Sequence, residues 1–446
     1  MSQQDVDDKN QMQAVEQNQN QVVAAEAIAP NGEPQPSVFK LDIDCWDEVL
    51  DCLSLEDEHS FGQTCKAFHR VTGQYFQWKY VSALALCDED GIYFNGRRMN
   101  GFKEFVQQIW FWMVTLNSAF GYIETNCKAE IKRLIFSHID LNQDIKAIEK
   151  RLEKIDSLEL RCCKFDEDIW RTLFESCKNL KRLRFWDCSR GLFAWLVQKH
   201  PKLEHLELRT KDSLESGKLK NFLDNCPNLQ SLQIDANVLW DSRDLICDAN
   251  VDDLAIDMNK DIDTTIGFLN DLHEKGFFKR LHFRSESNVP SADQLLSLPG
   301  LVTLYIGPYE KRNLKFPVLP SIKELGITCV GIDIITDAMA TSLINLEQLF
   351  ITDSDHLMPF IRRSAKLRDV EIAEYQETVL DIAALNKERR KLVGARKVTI
   401  YVNERVYLAT KWATPDTSLE LIELKRQSSR DIVRPHSFWQ RFRELN

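Results

Sequence analysis

Apolar residues recur down most of this chain in one spacing: apolar, two free positions, apolar, one free position, apolar. The copies read Ile131-Leu134-Phe136, Ile155-Leu158-Leu160, Leu180-Leu183-Phe185, Leu203-Leu206-Leu208, Leu229-Leu232-Ile234 and Val251-Leu254-Ile256. They continue as Phe278-Leu281-Phe283, Leu301-Leu304-Ile306, Ile322-Leu325-Ile327, Leu346-Leu349-Ile351 and Leu367-Val370-Ile372, with two weaker copies, Ala395-Val398-Ile400 and Leu419-Ile422-Leu424. Successive middle residues stand 21 to 28 positions apart. Side chains alternate along a strand, so each copy predicts a strand whose second and third apolar residues enter a core and whose flanking residues point away. No such strand buries its apolar face alone, so the copies must stack in parallel. Helices are expected between strands: over 166–176, with Ile169 and Leu173 on one face, and over 263–274, with Ile266 and Leu269 on another.

The result is an α/β solenoid of about thirteen repeats over 129–424, with a parallel β concave face and a helical convex face. Its early copies resemble the cysteine-containing leucine-rich repeats. Cys177-Lys-Asn-Leu180 and Cys226-Pro-Asn-Leu229 match the Cys-x-x-Leu that leads into the strand. Cys163 and Cys188 follow the last strand apolar by three positions, as Asn237 and Asn259 do in later copies, where a short polar group can satisfy turn backbone. Tyr309 and Val330 stand there further on, so strand registers in the second half are less firmly fixed.

Composition narrows the classes. A formal net charge of −11 argues against nucleic-acid binding as the main task. Twelve cysteines without a CxxC pair give poor support to a zinc site. The acidic, Gln-rich start has no apolar h-region, so reduced thiols in a cytoplasmic or nuclear protein are expected. The longest apolar run, 109–116, is far too short for a membrane span, and 102–117 reads as a buried helix. No cofactor is expected. Residues 1–36 are too polar to order themselves.

Residues 37–82 carry a second signal. Trp46, Val49, Leu50 and Leu53 fall on one helix face. Ser54 starts a second helix, with Asp57 three residues on and Phe61, Cys65 and Phe68 inward; a third would hold Tyr75, Phe76 and Trp78. Three helices this small carry more large apolar residues than they can bury, so either the first repeat or a partner covers some of them. On pattern alone a helical cap of the solenoid and a partner-binding module stay open. The motifs resemble an F-box: Leu41, Asp44-Cys45-Trp46, Val49-Leu50, Leu53-Ser54-Leu55-Glu56-Asp57, Cys65-Lys66-Ala67-Phe68, and Trp78 thirteen residues after Cys65. Asp42 stands where that family usually has proline. A helical linker and cap, 83–128, would join this module to the repeats.

F-box proteins with such repeats are typically target receptors of SCF ubiquitin ligases. The resemblance implies that Leu41, Trp46, Val49, Leu50, Leu53, Leu55, Cys65, Phe68 and Trp78 bind a Skp-type adaptor, and through it a cullin. The repeats then hold a protein target, and the chain itself does no covalent chemistry. A non-degradative scaffold of the same construction is the competing reading. Alternation places on the concave face Arg161, then Arg182, Arg184 and Trp186, then His205 and Arg209, then Arg280, His282 and Arg284. These suit an acidic or phosphorylated target; pairing with Glu159 and Glu207 is the alternative. Basic residues 387–397 read as a charged convex helix or a nuclear signal, and 425–446 as a terminal cap or a segment folded over the concave face.

Overall fold

In the computed structural model the described residues are parts of 46–72, the strands within 83–98, and 117–426 with gaps at 122, 128–130, 142–147, 166, 189–197, 210–216, 244–248, 259–261, 286–289, 308–315, 328–332, 374–378 and 415–416. Leu41, Trp78, the tail over 1–36, nearly all of 102–117, the segment beyond 426, and Asn259, Tyr309 and Val330 lie outside them. The chain divides into two compact units, 1–79 and 80–446.

In the first unit, helix α1 spans Leu55–Thr64. It starts immediately after Ser54, as the pattern predicts. Residues 46, 49, 50, 68, 69, 71 and 72 are also helical. Trp46 is the hub of the unit, its ring 5.7 Å from Phe61 and 5.1 Å from Phe68. Phe61 and Phe68 stack at 4.1 Å. Gly62 allows the close approach of Thr72: a Cβ there would sit 2.6 Å from Thr72 Oγ1.

The second unit is built on one open sheet of sixteen strands, in which all thirteen predicted copies form strands. They are β4 (Arg133–Ser137), β6 (Ser157–Arg161), β8 (Arg182–Trp186), β9 (His205–Arg209), β10 (Ser231–Asp235), β11 (Val251–Met258), β12 (Phe278–Ser285), β13 (Leu301–Ile306), β14 (Glu324–Ile327), β15 (Gln348–Ile351), β16 (Asp369–Ile372), β17 (Val398–Val402) and β18 (Ile422–Arg426). A fourteenth parallel strand, β1 (Ala83–Cys87), pairs with β4 and continues into the antiparallel β2 (Gly91–Phe94) and β3 (Arg97–Arg98). A helical linker over 83–128 is therefore wrong for 83–98. Ala-Leu-Ala-Leu alternates with period two, and Leu84 is fully buried. Two short strands, β5 (Asp140–Leu141) and β7 (Lys164–Phe165), pair apart from the main sheet.

The ladder runs in the predicted register from Leu134 opposite Leu158 to Leu254 opposite Leu281. It then slips twice. Leu304 faces Phe283 rather than Leu281, and Ile400, not Val398, faces Val370. Gly300 sits at the first slip with φ 64°, a conformation that suits glycine. Its carbonyl accepts the Leu281 N–H at 2.8 Å.

Helices fill the intervals: α2 (Glu149–Leu152), α3 (Glu167–Ser176), α4 (Lys218–Asp224), α5 (Ala236–Asp241), α6 (Ile262–Glu274), α7 (Ala292–Ser297), α8 (Asp333–Ser342), α9 (Leu357–Arg363), α10 (Ile382–Arg390) and α11 (Glu404–Ala413). Ile266, Leu269 and Leu272 of α6 are buried, and α8, α9 and α10 pack in succession. Several rungs are entered through a tight turn; Leu180 N–H donates to Cys177 O (3.2 Å), Leu203 to His200 (3.1 Å) and Leu229 to Cys226 (3.1 Å). Asn179 and Asn228 tie this turn to the preceding one, donating to the carbonyls of Glu153 and Pro201 at 2.6 and 2.7 Å. Cys163 is fully buried, and its single S–H lies within reach of the carbonyls of Phe136 and Arg161 (Sγ at 3.4 and 3.2 Å), satisfying turn backbone as its position predicts. Asn237 departs from that pattern, because it lies inside α5.

Candidate functional site: the polar face of the sheet

The strand residues that alternate with the apolar core form rows across the rungs. One row runs Glu159, Arg184, Glu207, Gln233, Ala255, His282, Thr303, Glu324, Gln348, Asp369. A second holds Arg161, Trp186 and Arg209 on adjacent rungs, and further on Asp257, Arg284 and Tyr305. Strand spacing of about 4.8 Å brings long side chains of neighbouring rungs into contact.

Over β4–β9 these contacts form an ion-pair network. Glu159 is buried and takes three guanidiniums: Arg133 at 2.5 Å, Arg161 at 2.5 Å and Arg184 at 3.4 Å. Arg184 continues to Glu207 (3.2 Å), Glu207 to Arg209 (3.3 Å), and Arg209 to Asp257 (3.0 Å). Burial alone would raise the Glu159 carboxyl, but Arg161, Arg184 and Arg133 together hold it well below the usual carboxylate range. Trp186 lies between two cations, with the Arg209 guanidinium 4.8 Å and the Arg161 guanidinium 5.8 Å from its ring. Arg209 is buried, and its Nη2 has no hydrogen-bond partner.

A second group lies on β11–β14. Asp253 accepts Arg280 at 2.7 Å and His282 Nε2 at 3.1 Å. His282 Nδ1 is 2.9 Å from Thr303 Oγ1, and Thr303 donates its hydroxyl to Glu324 at 3.1 Å. Carboxylate, imidazole and hydroxyl stand in line, but Thr303 is buried and its hydrogen is committed to Glu324. Arg284 rests 5.4 Å from the Tyr305 ring; burial draws its pKa down to about 10, so it stays charged.

No family model matches the chain. Two curated proteins of Arabidopsis thaliana are similar to it at low identity. "F-box protein SKIP19" is 24% identical over 187 residues, 39% of this chain and 60% of that protein. "Putative F-box/LRR-repeat protein 22" is 26% identical over 224 residues, 46% of this chain and 70% of that protein. The first name carries an F-box and the second an F-box with leucine-rich repeats, and together they support such a family.

The structure redistributes the predicted site residues. On the polar face Arg161, Arg184, Trp186, Arg209, His282 and Arg284 stand as alternation predicts, but they are enmeshed with carboxylates rather than arrayed for solvent. Arg182 and His205 are adjacent across β8 and β9, both half-buried, and Arg280 is exposed. The expectation that every flanking position faces solvent is corrected by Gln233, Thr303, Tyr305 and Phe350, each no more than 3% exposed. The rings of Tyr305 and Phe350 come within 6.2 Å although Gly326 of β14 lies between them. Asp257 stands on this face as alternation predicts, and Arg133 and Glu324, found by the same alternation, join it.

In the first unit Trp46 and Leu50 are buried, and Leu53, Cys65 and Phe68 are half-buried. Val49 is exposed at 40%. The predicted adaptor residues thus divide into a core, Trp46 and Leu50, and an accessible apolar residue, Val49; the Leu55 side chain lies outside the described set. Four of the cysteines, Cys163, Cys177, Cys188 and Cys226, are buried, and burial pushes the thiols of Cys177 and Cys226 up to about 12.

Proposed function

We propose that the chain is a target-binding subunit of an SCF-type ubiquitin ligase, with 37–82 docking a Skp-type adaptor and a leucine-rich-repeat solenoid holding a protein target on its polar face. The observation that carries this is the first unit. The F-box-like residues Trp46 and Phe68 pack with Phe61 in a unit of their own in which Leu50 is fully buried, while Val49 of the same apolar stripe is left at the surface. An exposed apolar side chain on a small aromatic core suits a partner groove. The names of the two Arabidopsis relatives support the same reading. In it the chain supplies proximity, not chemistry: it raises the effective concentration of target lysines near a conjugating enzyme.

The test is adaptor capture by Val49→Glu protein. Loss of capture with an unchanged melting temperature is expected. Full capture would remove the adaptor assignment. Leu50→Ala is the comparison, because truncating a fully buried side chain removes about 2–5 kcal/mol and unfolds the unit rather than its surface. A target that does not accumulate when the chain is deleted, with adaptor capture intact, would favour the non-degradative scaffold.

A further inference from the structure

In the helical layer of the second unit each helix leans on the next: α8 packs against α9, and α9 against α10. Helix α11, after β17, is the last helix among the described residues. Its inner face holds Val406 and Thr410, both fully buried. Another face carries Leu408, 41% exposed, and Trp412, 86% exposed, one turn apart and therefore neighbours. Tryptophan is highly buried on average, so a ring this bare beside an exposed leucine marks a surface built for a cover.

The chain beyond β18 has the length and the pattern of that cover. Middle residues of successive rungs stand 21 to 28 positions apart, and Ile422 of β18 stands 24 positions before the last residue, Asn446. Proline suits the first position of a helix, and Pro435 comes nine residues after Arg426, as α10 starts ten residues after the end of β16. From there Phe438, Trp439, Phe442 and Leu445 recur at i, i+1, i+4 and i+7, one face of a helix. We propose that residues 435–446 form the convex helix of the rung that β18 begins, and that Phe438, Trp439, Phe442 and Leu445 seat on Leu408 and Trp412 of α11. The eight residues 427–434 can span about 26 Å, ample for packed helix axes that stand about 8–10 Å apart. A helix of twelve residues is marginal by itself in water, so this segment needs the α11 face as much as that face needs a cover. The polar face of the sheet is the poorer seat for an aromatic stripe. Tyr305 and Phe350 are already buried there, and Trp186 lies between two guanidiniums.

Hydrogen exchange read by mass spectrometry on the full-length protein tests this. In the parent, amides of 437–443 are expected to exchange about tenfold or more slowly than an unstructured chain. Leu408→Ala/Trp412→Ala and Phe438→Ala/Phe442→Ala should each abolish that protection and speed exchange in the last turn of α11, while β8–β17 stay as in the parent. Alanine is the best helix former, so a loss would report the missing contact rather than a weakened helix. Exchange of 437–443 at the unstructured rate in the parent overturns the proposal. So does protection that survives Leu408→Ala/Trp412→Ala, which would seat the segment elsewhere. Protection that appears only as protein concentration rises, with a dimer mass in sedimentation, would give the α11 face to a second copy and overturn it as well. None of these readouts depends on adaptor capture.

Discussion

Glu159 and Arg389 show how far one side chain's partners decide its meaning. In the sequence Glu159 is one alternative partner for the arginines of its face; in the fold it is 2% exposed and ringed by Arg133, Arg161 and Arg184. Removing one member of a buried ionic cluster strands the others, at a cost of about 3–5 kcal/mol. Glu159→Gln should therefore lower the melting temperature markedly at pH 7. The sign with pH follows from its depressed pKa: a carboxylate held below its unfolded value adds stability above about pH 4.3 and loses it as the pH falls below that. The gap between wild type and Glu159→Gln should thus be widest above pH 5 and narrow steadily below pH 4; a gap independent of pH would mean the network does not hold this charge. Arg389, in the basic stretch that reads as a nuclear signal or a charged helix, is instead fully buried. It donates to the carbonyls of Ile361, Ser364, Ala365, Leu367 and Arg396, closing the C-terminal end of α9 onto the next rung. Burial brings its pKa down to about 10, still well above neutral. Arg389→Met keeps the bulk and removes every bond to these five carbonyls, and hydrogen bonds of a charged group are worth about 1.5–3 kcal/mol each. It should destabilise the protein more than Arg390→Met, whose parent pairs with exposed Glu420; equal melting shifts would deny Arg389 its structural role.

At the scale of elements, periodicity carried the fold a long way. All thirteen copies are strands because Leu and Ile at alternating positions leave no other way to bury both. The strand at 83–87 escaped although Val81-Leu84-Leu86 has the repeat's spacing, because Leu84 stands 50 residues before Leu134, outside the period of the other copies, and because the apolar run after it reads as a helix. Burial of the polar face was illegible for a different reason. Alternation says which way Glu207 and Arg184 point and leaves their pairing as one alternative; that they meet and are buried depends on the register between strands 23 residues apart. The register itself slips where a local backbone feature permits it, at Gly300 between β12 and β13. A Cβ at Gly300 would stand 2.6 Å from the Lys279 carbonyl oxygen, and φ is left-handed there as well. Gly300→Ala should therefore cost more than the ordinary strain of about 1 kcal/mol. Hydrogen exchange should rise first in β12 and β13, including the Leu281 amide that bonds Gly300, while β8–β10 stay protected. Uniform loss of protection across the sheet would show that the slip is not held at this glycine.

For the second unit as a whole, an open sheet of stacked rungs poses the problem of its two ends, where unpaired N–H and C=O groups invite another strand. Both ends are closed in the same way, by a turn of the chain's own backbone. Beyond β1 the antiparallel β2 and β3 continue the sheet as short strands. Beside β18 the preceding residues 417–419 run back antiparallel: Leu419 N–H donates to Ile422 O at 2.7 Å, Leu424 N–H donates to Thr417 O at 2.8 Å, and Ser418 bridges Glu423. Lys425, exposed on β18, adds a charge that discourages pairing. Because each rung touches only its neighbours, loss of this end should leave the rest of the stack standing and change how molecules meet. Leu419→Pro removes one donor and bars the local hairpin geometry without touching the buried Ile422 and Leu424. Its expected consequence is concentration-dependent self-association in sedimentation velocity, with a circular dichroism spectrum close to that of the parent. A variant that stays monodisperse at high concentration would mean that the hairpin is not what keeps the β18 edge from pairing.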